Sequence, residues 1–310
     1  MSGRFAALAI LLAMSGALAH AEITRHSGSA DALPDKQFIR VVSEADSPVM
    51  QTWIKAKDGL YIAAAIRKPK GNGPFPAIVM FHGAPGGRGM EQLVGWSRGD
   101  HGGPVWERFL QEGYAVIVAD YRGGPWNTMN TPSKDGLTTA IDDGLSVIDY
   151  VQRLPYVKRA EISVYGVSLG GNLALYLASR VPDLHAVVLG APAPIWFLGY
   201  HKRQPWTDDY WKVAPPDAES LRENIPPIRA PILLLVGTAD RLSGVDEVLH
   251  GELTKAGKSI RMDVYEHGYH DFVLGNQGHK REDLPRGEYL MQGALDALEL
   301  TVKFVRNPRQ

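Results

Sequence analysis

Apolar positions recur along this chain in two distinct rhythms. Residues 77–81, 115–119, 185–189 and 232–236 are short, nearly continuous apolar runs, and residues 260–265 read as a further strand. Runs of that length without alternation predict strands covered on both faces. Leu137, Ile141, Leu145 and Ile148 recur at three- and four-residue steps, predicting an amphipathic helix over 136–153. Further helices are predicted over 104–112, where Gly113 is the stop, and over 169–178, 244–256 and 286–305. Residues 53–57 and 60–67 flank Asp58-Gly59, a hairpin turn signal. Residues 161–165 read as one more strand. Residues 192–230 hold many Pro and Trp and little periodicity. Residues 22–50 are polar and read as an irregular leader that wraps the domain.

Strands alternate with helices from residue 77 onward. This predicts an α/β fold: a mostly parallel central sheet, helices on both faces and an antiparallel leading hairpin. In such sheets, sites form at the carboxyl ends of the strands.

Residues 1–21 read as a secretory signal peptide. Arg4 precedes an apolar run over 5–14, and Ala19-His20-Ala21 is a small-x-small cleavage site. The run is too short to span a bilayer comfortably, so no integral membrane segment is expected after cleavage. The remaining division is a leader over 22–50 and a catalytic domain over 51–310. The protein is therefore expected to be exported, to a periplasm or beyond the cell. The chain has no Cys, which excludes disulfides and thiolate chemistry. A net charge of −1 offers no electrostatic reason to expect nucleic acid as a partner. Oligomeric state is not readable from the sequence.

The candidate chemistry begins at Gly166-Val167-Ser168-Leu169-Gly170, between a predicted strand and a predicted helix. This is the pattern of a nucleophile elbow, with Ser168 held on a tight turn at a helix N-terminus. A serine hydroxyl needs a base. Asp240 follows the 232–236 strand, and His270 follows the 260–265 strand, giving the chain order Ser, Asp, His. His270 is the first-choice base and Asp240 its orienting acid, with His267 and Asp246 as second choices. Asp271 reads as solvated or locally bonded. Two backbone N–H groups are needed for the oxyanion. Leu169 supplies one. The other is expected from His82-Gly83-Ala84-Pro85-Gly86-Gly87, with Ala84 preferred and Gly83 the alternative. His82 reads as a support for that loop. Trp96, Trp126, Trp196, Trp206 and Trp211 fall in loops and are candidates for a substrate pocket or for loop packing. Arg122 is a candidate for a substrate carboxylate or for a structural ion pair. His267 and His270 have no further ligand cluster beside them, so no metal or cofactor is expected.

With these residues placed, the chain resembles an α/β-hydrolase. It is similar to the catalytic domain of the prolyl oligopeptidase family and to dienelactone-hydrolase-like esterases, over roughly residues 52–306. The resemblance is carried by Asp58-Gly59-Leu60, Pro74-Phe75-Pro76-Ala77, the His82 loop and Gly113-Tyr114-Ala115-Val116. It continues through Asp120-Tyr121-Arg122-Gly123, the Ser168 elbow, Gly237-Thr238-Ala239-Asp240 and Gly268-Tyr269-His270-Asp271-Phe272. Those peptidases usually carry a β-propeller before the catalytic domain, and too few residues precede the hairpin here to hold one. They also often have Tyr after the nucleophile, where this chain has Leu169. The resemblance therefore implies a stand-alone serine esterase acting on small carboxylic esters through an acyl-enzyme. The alternatives are a peptidase or amidase acting on short peptides, and a non-catalytic binding protein on the same fold.

Overall fold

Nine strands form a single sheet in a computed structural model that describes residues 21–26, 42–97, 103–123, 134–202, 214–274 and 284–310. The strands are β1 (Ala21–His26), β2 (Met50–Lys55), β3 (Tyr61–Arg67), β4 (Phe75–Phe81), β5 (Ala115–Ala119), β6 (Val157–Ser168), β7 (Val187–Pro192), β8 (Ile232–Gly237) and β9 (Ile260–Tyr265). Their order across the sheet is β1-β9-β8-β7-β6-β4-β5-β3-β2. All neighbours pair in parallel except β2 with β3 and β3 with β5.

The uninterrupted apolar runs are explained by which face each side chain meets. Side chains alternate across a strand. Ile78 and Met80 of β4 join one buried cluster, while Val79 and Phe81 join the other. Leu233 and Leu235 of β8 part from Leu234 and Val236 in the same way. One face is covered by α1 (Met90–Ser97), α2 (Gly103–Gln111) and α7 (Leu284–Arg306), through residues such as Leu93, Phe109 and Leu298. The other is covered by α3 (Lys134–Gln152), α4 (Leu169–Arg180) and α6 (Ser243–Lys255), through Ile148, Leu173 and Leu249. No helix among the described residues is long and apolar enough to cross a membrane.

Three elements differ from the sequence reading. The irregular leader begins as strand β1, which pairs with β9 along its whole length. His26 at its end stacks on Tyr265 at 4.5 Å and hydrogen-bonds Asp263 Oδ1 at 2.7 Å. Six residues with one buried neighbour strand carry too little apolar signal to read as an edge strand. Farther on, the carbonyls of Val42 and Ser47 accept from buried Arg67. Helix α1 and a short helix α5 (Ala218–Asn224) are also additional. Helix α5 begins where the Asp217 carboxylate accepts from the Ser220 N–H at 2.9 Å. That cap directly follows Pro215-Pro216, which masks it in the sequence.

Candidate active site

The turn after β6 brings backbone against backbone. A Cβ on Gly166 would stand 2.2 Å from the Gly170 oxygen, and one on Gly170 would stand 2.1 Å from Phe81 O. Only glycine clears such approaches. Ser168 between them has φ 53° and ψ −118°, a conformation costly for any residue with a Cβ. Its carbonyl accepts from Ala193 N at 2.9 Å, where the β6–β7 register shifts. The strained turn lifts the hydroxyl off the end of the sheet, at the start of α4.

The three residues expected to act together are brought together. Ser168 Oγ lies 2.8 Å from His270 Nε2, and His270 Nδ1 lies 2.8 Å from Asp240 Oδ2. The Asp240 side chain is fully buried, whereas that of His270 is 40% exposed. Asp240 Oδ1 accepts from Leu242 N at 2.9 Å, which fixes the carboxylate at the start of α6. The second choices stand elsewhere. His267 is exposed, with φ 61°, and its N–H donates to Thr238 Oγ1. Asp246 is buried inside α6.

The loop after β4 packs onto the serine. A Cβ on Gly83 would lie 3.2 Å from Ser168 Cβ. Leu169 is the first residue of α4, so its N–H has no carbonyl one turn back in its own helix. His82 supports the loop, as its type and place suggest. Its Nδ1 donates to Gly83 O at 2.7 Å, and its Nε2 meets Asp120 Oδ1 at 3.0 Å. Asp120 also accepts from the N–H groups of Gly87, Gly89 and Tyr121. Burial alone would push its carboxyl up, but the His82 and backbone hydrogen bonds outweigh burial and hold it below the usual value. Asp120 has no role in the sequence reading. Its sequence signals are its place at a strand end and its membership of the Asp120-Tyr121-Arg122-Gly123 stretch that carries part of the resemblance.

The aromatic candidates separate. Trp96 is half-buried, with its ring 5.1 Å from that of His82. Trp196 is corrected: it is 1% exposed and belongs to the core cluster with Tyr176 and Phe197, so it packs the fold instead of lining an open pocket. The backbone beside it is pinned by Asn172 Oδ1 on Phe197 N and by Asn224 Nδ2 on Phe197 O. Trp126, Trp206 and Trp211 lie outside the described residues. Arg122 is a structural pair. It binds Asp143 and Asp58, with guanidinium-to-oxygen distances from 2.5 to 3.2 Å.

A mostly parallel sheet with a strained elbow serine at the end of a central strand defines an α/β-hydrolase-fold protein. Comparison with known sequences narrows this class. The profile of the Dienelactone hydrolase family matches residues 62–307, and the chain belongs to that family. It is a hydrolase of this esterase-type family, on the dienelactone-hydrolase side of the two resemblances. A curated relative, Protein usf of Aquifex pyrophilus, is 24% identical over 260 residues, which are 81% of this chain and 95% of that protein. Two solved esterases share the fold. Esterase 2 of Thermogutta terrifontis, phosphorylated by paraoxon, has a TM-score of 0.58 and 21% identity, covering 84% of this chain and 94% of its own. The Pyrobaculum calidifontis esterase has a TM-score of 0.58 and 18% identity, covering 85% of this chain and 88% of its own.

Proposed function

We propose that this protein is a serine esterase that hydrolyses small carboxylic esters through an acyl-enzyme on Ser168. The observation that carries the reading is the hydrogen-bonded row Ser168 Oγ, His270, Asp240, with both contacts at 2.8 Å. His270 Nε2 takes the serine proton as Oγ attacks the ester carbonyl carbon. The N–H groups of Leu169 and Ala84 receive the oxyanion. His270 then returns the proton to the departing alkoxide, and the alcohol leaves. A water molecule, deprotonated by the same imidazole, attacks the acyl-enzyme carbonyl; the C–Oγ bond then breaks, the imidazolium returns the proton to Ser168 Oγ, and the acid is freed. Asp240 accepts a hydrogen bond from the Nδ1–H, which keeps Nε2 facing the serine and stabilises the imidazolium without taking its proton.

The phosphorylation of the Thermogutta esterase by paraoxon supports choosing an organophosphorus probe. Purified protein is expected to hydrolyse p-nitrophenyl acetate and to be labelled at Ser168 by a fluorophosphonate. Ser168→Ala is expected to lose on the order of 10⁴-fold or more in turnover. Retention of most activity by that variant would falsify the assignment. Faster turnover of aminoacyl amides than of simple esters would transfer the same machinery to the peptidase reading. We further propose export, with residues 1–21 removed. N-terminal sequencing of the exported protein is expected to begin at Glu22, and an intact Met1 on exported protein would contradict it.

A further inference from the structure

Ala84 sits between two peptide units, and a different side chain ties each of them through its carbonyl. His82 Nδ1 donates to Gly83 O at 2.7 Å, and Arg88 Nη2 donates to Ala84 O at 2.6 Å. In a trans peptide the carbonyl and the following N–H point to opposite sides. Holding Gly83 O therefore sets the direction of the Ala84 N–H. If this peptide flipped, a carbonyl would replace a donor beside Ser168.

Both clamping side chains are themselves held. The His82 ring stacks on Tyr121 at 4.7 Å, and the Tyr121 hydroxyl donates to His82 O at 2.9 Å. Asp120 receives His82 Nε2 at 3.0 Å. The Arg88 guanidinium lies 5.9 Å from the centre of the Trp96 ring. No carboxylate among the described residues pairs with Arg88, and its Nε is buried without a hydrogen-bond partner. A cation that sits this way gains little as a surface charge. Its short bond goes to the carbonyl of Ala84, the residue proposed as an oxyanion donor.

We propose that Arg88 and His82 are positioning residues that clamp the peptide units on either side of Ala84 and so hold its N–H as an oxyanion donor. This rests on the reading of Ala84 under the proposed function. Removing one oxyanion donor outright costs 10²–10³-fold elsewhere, and loosening one costs less.

The test compares Arg88→Ala, Arg88→Lys, His82→Ala and His82→Asn in the full chain. The substrates are neutral p-nitrophenyl acetate and a p-nitrophenyl ester that carries a carboxylate. For Arg88→Ala, kcat is expected to fall about tenfold on both esters, with KM changed less than about twofold. Affinity for a trifluoromethyl ketone should fall by the same factor. Lys can still donate to Ala84 O, and the Asn amide can still reach Gly83 O, so both conservative variants should recover most of the loss. An unchanged kcat in Arg88→Ala overturns the clamp. So does a loss confined to KM on the carboxylate-bearing ester, which would make Arg88 a substrate-binding group. Equal losses in the conservative and alanine variants overturn it as well. Fluorophosphonate labelling of the wild-type protein separates the two levels. An unlabelled Ser168 removes the serine-esterase reading itself, whereas labelled protein with unaffected Arg88 variants removes only the clamp.

Discussion

Gly237 and Gly268 meet backbone to backbone: a Cβ on Gly237 would stand 2.1 Å from the Gly268 carbonyl oxygen. That oxygen also accepts from Ala239 N at 2.9 Å, and Thr238 N donates to Tyr265 O at 3.0 Å. The loops after β8 and β9 are zipped together by these contacts, and the zipper sets Asp240 beside His270.

Gly237→Ala is therefore expected to spread the two loops. With Asp240 and His270 acting as proposed, moving the pair by about 1 Å should cost on the order of 10²-fold in kcat/KM. The overpacking itself should cost about 1–3 kcal/mol of stability. Ester turnover and urea unfolding measure the two effects separately. Normal turnover in a stably folded Gly237→Ala protein would show that the zipper does not set the pair.

Asp246 predicts a pH dependence of stability. It is fully buried, and neither carboxyl oxygen has a hydrogen-bond partner. Burial pushes its carboxyl well above the ordinary value of 3.8, and the charges of Asp240 and Glu247 push it further. Because the folded value is raised, its contribution to stability is full below the unfolded value and is lost as pH rises through the folded one. Asp246→Asn is expected to raise Tm at pH 8, to give no gain near pH 3, and to flatten the slope between. Calorimetry across that range checks it, and a lower Tm at pH 8 would count against a raised carboxyl at Asp246.

The Arg67–Glu107 pair predicts a large asymmetry between single and double variants. Both side chains are 2% exposed. Arg67 also donates to the carbonyls of Ser47 and Ser97 at 3.0 Å and of Val42 at 2.7 Å, while Glu107 Oε2 accepts from Val42 N at 2.8 Å. Glu107→Ala leaves a buried cation unpaired and should cost about 3–5 kcal/mol. It should also expose the chain at 42–47 to limited proteolysis. Replacing both partners by apolar residues of similar volume should cost much less. Equal losses in single and double variants would mean that the pair itself carries stability.

Trp196→Ala tests the reassignment of that residue to the core. Removing a fully buried Trp should cost about 3–5 kcal/mol. KM on small esters should stay within about twofold under conditions where the variant is folded. A specific rise in KM without loss of Tm would restore Trp196 to a substrate pocket.

Much of the architecture is written in local spacing. Continuous apolar runs and three- and four-residue recurrence are properties of neighbouring positions, so the central strands and the long amphipathic helices can be read directly. The Gly pair around Ser168 is equally local, because the clash it avoids lies within the same turn and the adjoining strand end. The order of Ser168, Asp240 and His270, each after a predicted strand, identifies candidates at the strand ends. Order alone leaves both His270, the first choice, and His267, the second, as candidates three residues apart on one loop. The fold makes that choice, through the Gly237–Gly268 contact and the path of the chain after β9. Strand β1 and the grip of Asp120 on the 82–89 loop have no local signature, because their partners are far away in sequence. Trp196 shows the same limit from the other side. Composition identifies it as aromatic in a loop, and only packing decides that it is core. The sequence by itself determines which residues are able to do chemistry and roughly which strand ends carry them. The tertiary structure alone decides which of them touch, because contact depends on sheet order, register and twist, and these arise from pairings that no short stretch of chain contains.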